Sequence, residues 1–480
     1  MSVSDYEPVI GLEVHCELST NSKMFCSCPA HFGAEPNTNV CPVCLGEPGS
    51  LPVVNERAVE DAIKIGLALN CSVAPRTIFH RKNYFYPDMP KNYQISQYDN
   101  PICTGGYLDV DGGRVGITRV HMEEDTGKSL HVGSSGRISE ATHSLVDYNR
   151  AGVPLMEIVS EPDVRSAEQA MTYLTELRSI LATLGVSDVR MEEGSLRCDA
   201  NISIHKPGTP WGTRVEVKNL NSIRSLGRAV AFEIERQAKL LDAGEPIVQE
   251  TRHFDESTGV TKTLRSKEEA FDYRYFPEPD LVPIEPDEAW VAGLRAALPE
   301  LPAARRVRLE TEHGLATEHA AFVGASPASM SYFEAVIAGG TPARDAAVWM
   351  AGELARWLGD RGADIADSPV SPKALAGLIK LVGEGAINLN TGKRVLQLSF
   401  ESGKDPATIV AEQGLEQVSD TGAIDAIIAE VLTANAAEVE RFRGGEEKVF
   451  GFLVGQSMKA LKGQGNPKLV NERLRAALEG

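Results

Sequence analysis

No apolar stretch in these 480 residues approaches the roughly 20 needed to cross a bilayer. Cysteine is sparse as well. Eight in a chain of this length exclude a disulfide-built scaffold. The opening MSVSDYEP has no basic region followed by an apolar run, so a secretory leader is not expected there. These absences point to a cytoplasmic protein with thiols reduced or metal-bound. Basic charge is also short: 48 Lys and Arg against 67 Asp and Glu give a formal net charge of −19, which speaks against a broad nucleic-acid-binding surface. Acids gathered in a metal cleft would create the same deficit beside a local basic patch. The last segment does tilt basic, with Lys459, Lys462, Lys468, Arg473 and Arg475 against Glu472 and Glu479. No internal repeat and no long low-complexity tract is present.

The length implies two or three domains. Up to about residue 283 the chain alternates short polar and apolar segments with Gly, Pro and Asn punctuation, and beyond it becomes Ala- and Leu-rich with helical period. Prolines at 279, 283, 299 and 302 cannot continue a regular element, which places a boundary near 295. A softer one falls near 404, at Gly403, Lys404, Asp405 and Pro406. The expected units are 1–295, 296–404 and 405–480. Within the first, helical patterns near 55–69 and 167–184 stand between alternating strands, an α+β pattern with mainly antiparallel sheet. In the second, Ser371 and Pro372 supply a cap and first-turn proline for a helix carrying Leu375, Leu378, Ile379 and Val382. A last helix is expected over 467–478.

Residues 9–17 (VIGLEVHCE) read as a strand with Glu13, His15 and Glu17 on one face and Leu12, Val14 and Cys16 on the other. Two carboxylates and an imidazole together suit a hard-cation site. Later strands repeat the pattern: Arg197, Asp199, Asn201 and Ser203 share a face, as do Arg214, Glu216 and Lys218. A solvated sheet face is the ordinary explanation for one such strand. Short, rigid Asp, Asn and Ser recurring beside Arg fit a polar cleft better. Glu157 sits among Leu155, Met156, Ile158 and Val159, where a carboxylate is either paired or bound to a cation. Glu13, His15, one or both of Glu123 and Glu124, Glu157 and Asp199 could together supply an oxygen-rich Mg²⁺ shell, with His15 a direct ligand or a water holder.

Cys26-x-Cys28 and Cys41-x-x-Cys44 form two close pairs, the spacing of a structural zinc knuckle. Cys16, Cys71, Cys103 and Cys198 suit incidental buried thiols instead. Residues 126–129 (TGKS) end like a phosphate loop, but Met122 stands where its first glycine belongs. Residues 133–136 (GSSG) faintly suggest a serine-amidase loop without the partners such a site needs, and read as a flexible turn. No Cys-His-acid set for glutamine hydrolysis is present, so any ammonia must come from elsewhere. The Lys, Asn, Tyr and Gln of 80–88 and 91–96 suit a hydrogen-bonding channel or an RNA-contacting surface.

Strings spread from near the first residue to the tail resemble the GatB family, the B subunits of tRNA-dependent amidotransferases. They include 9–17, 31–37 (HFGAEPN), 81–88 (RKNYFYPD), 121–129 (HMEEDTGKS), 144–163 (SLVDYNRAGVPLMEIVSEPD), 191–203 (MEEGSLRCDANIS), 216–222 (EVKNLNS), 249–256 (QETRHFDE), 272–281 (DYRYFPEPDL) and 451–456 (GFLVGQ). The resemblance implies an N-terminal cradle, a helical middle domain and a small helical YqeY-like tail that binds tRNA. It implies ATP-dependent phosphorylation of the side-chain carboxylate of misacylated Glu-tRNA(Gln) or Asp-tRNA(Asn). Ammonia from an amidase-type A subunit would then displace phosphate, with a small C subunit completing a heterotrimer. By resemblance, Glu13, His15, Glu124, Glu157 and Asp199 fall where family members bind Mg²⁺. A non-catalytic tRNA-binding scaffold with a structural cation is the alternative.

Overall fold

The computed structural model describes residues 5–133, 141–266, 272–415, 421–461 and 465–479. Ser134 and Ser135 of the GSSG stretch and Lys462 of the basic tail lie outside them. The chain divides into two compact units, Met1–Pro302 and Ala303–Gly480.

The first unit is α+β. Its strands are β1 (Glu7–Glu17), β2 (Ser72–Val73), β3 (His80–Asn83), β4 (Tyr93–Ser96), β5 (Cys103–Val110), β6 (Gly113–Glu124), β7 (Lys128–Gly133), β8 (Ala141–Asp147), β9 (Pro154–Ser160), β10 (Leu196–His205), β11 (Val215–Leu220), β12 (Glu250–Asp255), β13 (Val260–Ser266) and β14 (Phe276–Pro277). Twelve form one sheet in the order β13-β12-β11-β10-β1-β9-β6-β4-β3-β14, with β5 paired to β6 and β2 to β5. β7 and β8 form a separate hairpin. β11 and β12 run parallel, while the strands around them pair antiparallel. A parallel step needs a long crossover, and a helix supplies it here.

The helices of this unit are α1 (Pro42–Leu45), α2 (Glu56–Ala68), α3 (Ala167–Leu184), α4 (Ile223–Asp242) and α5 (Glu288–Ala296). Sequence period marks α2 and α3. The structure adds their caps: Asn55 accepts from the Ala58 amide at 3.3 Å and Ser166 from the Gln169 amide at 3.0 Å. α4, the crossover helix, is missing from the sequence-based expectation. Its inward face is interrupted by Glu233 and Gln237, both fully buried, so its apolar stripe is broken. Glu233 is satisfied there by Arg236, Gln237 and Thr261, and Gln237 also donates to the Ile202 carbonyl at 3.1 Å. Gly227 lets α4 approach α3, since a Cβ there would lie 2.4 Å from the Met171 sulfur.

Strand alternation gives the sheet two chemically different faces. Ile10, Leu12, Val14, Cys16, Cys198, Ala200, Ile202, Met156, Ile158, Val120 and Met122 join α2, α3 and α4 in one apolar core. The opposite face of β1, β9, β10 and β6 carries Glu13, His15, Glu157, Asp199 and Glu123.

In the second unit every regular element among the described residues is helical. One apolar cluster runs from Leu309 to Val410 and a second from Ile424 to Leu478. Ser371 caps Pro372–Gly383 by accepting from the Ala374 amide, and the last helix spans Pro467–Glu479. Helix Pro406–Gln413, which a boundary at 405 would give to the tail, sends Ile409 and Val410 into the earlier cluster. No described helix is long and apolar enough to cross a membrane.

Candidate metal centres

The register of four adjacent strands builds the first centre. Antiparallel pairing sets Glu13 opposite Asp199, His15 opposite both Arg197 and Glu157, and His121 opposite Glu157. Directly opposed residues project to the same side, so segments more than 100 residues apart converge on one point. One donor atom each of His15, Glu123 and Glu157 lies within 4.8 Å of the others. His15 Nε2 is 3.6 Å from Glu157 Oε2 and 3.8 Å from Glu123 Oε1. His121 Nε2 is 3.2 Å from Glu157 Oε2 and 3.9 Å from Glu123 Oε2.

Electrostatics separates the acids. Burial pushes the Glu157 pKa up, but His121 and His15 more than reverse this and hold it well below the usual range. Glu13 goes the other way: burial, then the charges of Glu157 and Glu216, raise it, although Asn201 donates to its carboxylate at 2.8 Å. Burial works against a charged His15, yet Glu157 and Glu123 raise its pKa overall. Two carboxylate oxygens and an imidazole nitrogen, with Glu157 kept ionised, form a donor set that fits a divalent cation.

The other expected ligands are placed differently. Asp199 is bound by the Lys218 ammonium, which also lies 2.9 Å from Glu216. Glu124 projects to the opposite side from Glu123, because consecutive strand residues alternate. It forms an ion pair with Lys91 and accepts from the Ile95 amide at 2.9 Å. The structure therefore gathers His15, Glu123 and Glu157, sets Glu13 and Asp199 beside them, and turns Glu124 away.

Three residues of this face escaped the sequence reading. His121 shares the parity of Glu123, a signal that was present in the strand. Arg119 Nη2 lies 3.8 Å from Glu157 Oε1. Lys82 stands over the Tyr273 ring at 5.0 Å; burial lowers its pKa, but Glu123, Tyr275 and Glu157 raise it on balance. Lys82 lies in the 80–88 aromatic and basic run, which forms β3 and the turn beyond it. Further along β1, Arg197 joins Asp125 and reaches Glu17 at 3.9 Å. Burial and then the Asp125 charge push Glu17 up to about 8.

The second centre is the cysteine quartet. Cys26, Cys28, Cys41 and Cys44 bring their sulfurs within 4.8 Å of one another, compatible with tetrahedral thiolate ligation. Lys23, fully buried, donates to the Asn39 carbonyl at 2.7 Å and the Tyr148 carbonyl at 3.2 Å, and its ammonium lies 3.7 Å from Cys44 Sγ. The Cys41 amide donates to the same sulfur at 3.1 Å. Contact with Cys26, assisted by Cys41 and Lys23, pulls Cys44 down to about 4. A zinc ion with four thiolates carries excess negative charge, and a buried lysine beside one sulfur offsets part of it. Cys16, Cys71, Cys103 and Cys198 are buried apart from the quartet.

These features define a class: an α+β domain whose sheet has one apolar and one acid-rich face, with a cysteine knuckle, followed by helical bundles. The chain belongs to the GatB family. Residues 8–292 match the family described as GatB/GatE catalytic domain, and residues 331–478 match the GatB domain of YqeY type. A Geobacter sulfurreducens relative, named as the B subunit of an aspartyl/glutamyl-tRNA(Asn/Gln) amidotransferase, is 54% identical over 481 residues, covering 99% of this chain and 100% of the relative. Relatives of the same name from Salinispora arenicola (55% identical, 98% of this chain, 96% of the relative) and Moorella thermoacetica (54%, 99% and 100%) agree.

Proposed function

We propose that the chain is the B subunit of a glutamine-dependent aminoacyl-tRNA amidotransferase, a carbon–nitrogen ligase of translation working in the cytoplasm. It acts with an amidase-type A subunit and a small C subunit on misacylated Glu-tRNA(Gln), Asp-tRNA(Asn) or both. The observation carrying this reading is the convergence of His15, Glu123 and Glu157 donor atoms within 4.8 Å on an otherwise polar sheet face. The names borne by full-length relatives support the substrate class.

Mg²⁺ is assigned to His15, Glu123 and Glu157, with Glu13 and Asp199 close enough in the strand register to complete or orient its shell; when bound it supplies charge neutralisation for a transferring phosphoryl group. The substrate's side-chain carboxylate oxygen attacks the γ-phosphorus of ATP, ADP leaves, and an acyl phosphate forms. Ammonia released from glutamine in the A subunit attacks the acyl carbon, inorganic phosphate departs with the C–O bond pair, and the nitrogen loses a proton to leave the amide. A carboxylate is inert to ammonia until its oxygen becomes such a leaving group. Lys82 and Arg119 provide fixed cations beside the acids, suited to charge building on phosphoryl oxygens. Zn²⁺ is assigned to Cys26, Cys28, Cys41 and Cys44 as a structural ion bracing the start of the domain.

The domain partition proposed is a catalytic cradle to about 295, a helical domain to about 404 and a YqeY-like tRNA-binding tail beyond. Two separate apolar clusters support a division of the helical part, although the first of them reaches Ile409 and Val410, past 404. The deciding experiment measures ATP hydrolysis by the purified three-subunit complex with misacylated, correctly charged and uncharged tRNA. Hydrolysis stimulated by misacylated tRNA is expected. Its absence would leave a scaffold that holds tRNA without chemistry.

A further inference from the structure

A cavity of about 120 Å³ opens beside the cysteine knuckle, and Lys23, Cys26, Val43, Cys44, Lys91 and Glu124 line it. That volume is well above the roughly 15 Å³ that one water-sized molecule requires. Structural thiolates are inert where protein covers them. Here two of the four sulfurs face a space that a small polar molecule can enter. Those two are also neighbours: Cys26 and Cys44 share a side-chain hydrogen bond, as do Cys28 and Cys41. Cys26 is half-buried and Cys44 buried. The Lys23 ammonium at 3.7 Å and the Cys41 amide at 3.1 Å stabilise negative charge on the Cys44 sulfur. The knuckle also packs on the Lys91–Glu124 ion pair. Gly46, which ends α1, lies so near Lys91 that a Cβ would come within 2.5 Å of its Cγ. A Cβ on Gly152 would lie 3.6 Å from the Cys44 Cβ and 3.7 Å from a Glu124 oxygen.

We propose that the knuckle is a reversible oxidation switch: hydrogen peroxide enters this cavity, Cys26 and Cys44 close a disulfide, and the zinc is expelled. Cys26, the more exposed sulfur, meets the oxidant first. Its thiolate attacks a peroxide oxygen, the O–O bond breaks, and the departing hydroxide takes a proton to become water. The resulting sulfenic acid is a poor zinc ligand. The Cys44 thiolate, held charged beside Lys23, then attacks the Cys26 sulfur. The S–O bond breaks and a second hydroxide leaves as water. The two sulfurs lose two electrons, the peroxide gains them, and two protons come from solvent. Zinc keeps only Cys28 and Cys41, against the four ligands of a structural site, and dissociates. Gly46 and Gly152 carry the change onward, because a knuckle without its metal no longer holds Lys91 and Glu124 in place.

The inference rests on the zinc reading above and adds what removes the metal. The test treats the complete three-subunit enzyme with graded hydrogen peroxide and follows zinc release with a chromogenic chelator. Free thiols are then blocked and the peptides mapped by mass spectrometry. About one zinc per B subunit should be released as a Cys26–Cys44 disulfide appears. Cys16, Cys71, Cys103 and Cys198, buried elsewhere, should stay reduced. Amidation should fall in step with zinc release, and dithiothreitol with Zn²⁺ should restore both. Val43→Phe fills part of the cavity without removing a sulfur, and should slow the release several-fold with the starting zinc content unchanged. Zinc release without a Cys26–Cys44 link would overturn the proposal. So would release at an unchanged rate in Val43→Phe, or full amidation after the metal has gone. If the untreated complex holds no zinc in this subunit, the zinc reading fails by itself, while peptide mapping still decides whether peroxide joins Cys26 to Cys44.

Discussion

His121 Nε2 stands 3.2 Å from Glu157 Oε2 across the β6–β9 pair, and His15 Nε2 approaches the same oxygen at 3.6 Å from β1. One carboxylate thus collects two imidazoles from two neighbouring strands. That explains why the Glu157 pKa is held well below the usual carboxylate range although burial works to raise it.

Burial raises the Glu157 pKa and the His121 charge does most to bring it down. In His121→Ala that pKa should therefore rise toward the ordinary carboxylate range. Since cation binding needs the ionised form, the acid limb of the pH–rate profile should move to higher pH. The Mg²⁺ concentration for half-maximal activity should also rise several-fold. Steady-state rates across pH and Mg²⁺ check this, and an unmoved acid limb would remove His121 from the site.

Glu157→Gln keeps the shape and loses the charge. Amidation should fall by roughly a hundred-fold or more, a loss of the size seen when a key electrostatic group is removed. Glutamine hydrolysis by the partner subunit should stay measurable. Near-normal transamidation would show that Glu157 holds no catalytic cation.

Metal analysis should find about one zinc per chain. Cys41→Ala should lower melting temperature or yield more than it lowers the rate of the folded remainder. Lys23→Met should also destabilise, by roughly 1–3 kcal/mol, because it strands the Asn39 and Tyr148 carbonyls without their buried donor. Metal-free protein of full stability would refute the zinc assignment.

Truncation tests the tail. Cutting near 405 would also remove Ile409 and Val410 from the preceding core, so the cleaner deletion begins at 421. It should raise KM for charged tRNA far more than KM for ATP, and flatten the dependence of tRNA affinity on salt, because Lys and Arg contacts to phosphates weaken as salt rises. Lys459 and Lys468 are exposed, whereas Arg473 is already paired with Asp425. Lys459→Ala with Lys468→Ala should therefore reproduce more of the effect than Arg473→Ala. An unchanged affinity and salt slope after truncation would place the tRNA elsewhere.

The local features were legible from the residues alone. Alternation put Glu13 and His15 on one side of β1, cysteine spacing marked the knuckle, apolar period marked α2 and α3, and Ser371 with Pro372 announced a helix. Each depends on residues within a turn or a strand of one another. Register lies beyond that range. Glu123 and Glu124 must face opposite ways, but only the pairing of β6 with β9 decides that Glu123 meets His15 and Glu157 while Glu124 meets Lys91. A slip of one residue would exchange them. The same pairing brought His121 into the site. α4 escaped for a related reason: Glu233 and Gln237 look misplaced on an inward helical face until Arg236, Thr261 and the Ile202 carbonyl are folded against them. Tertiary hydrogen bonds make those buried polar groups tolerable, and no local pattern records them.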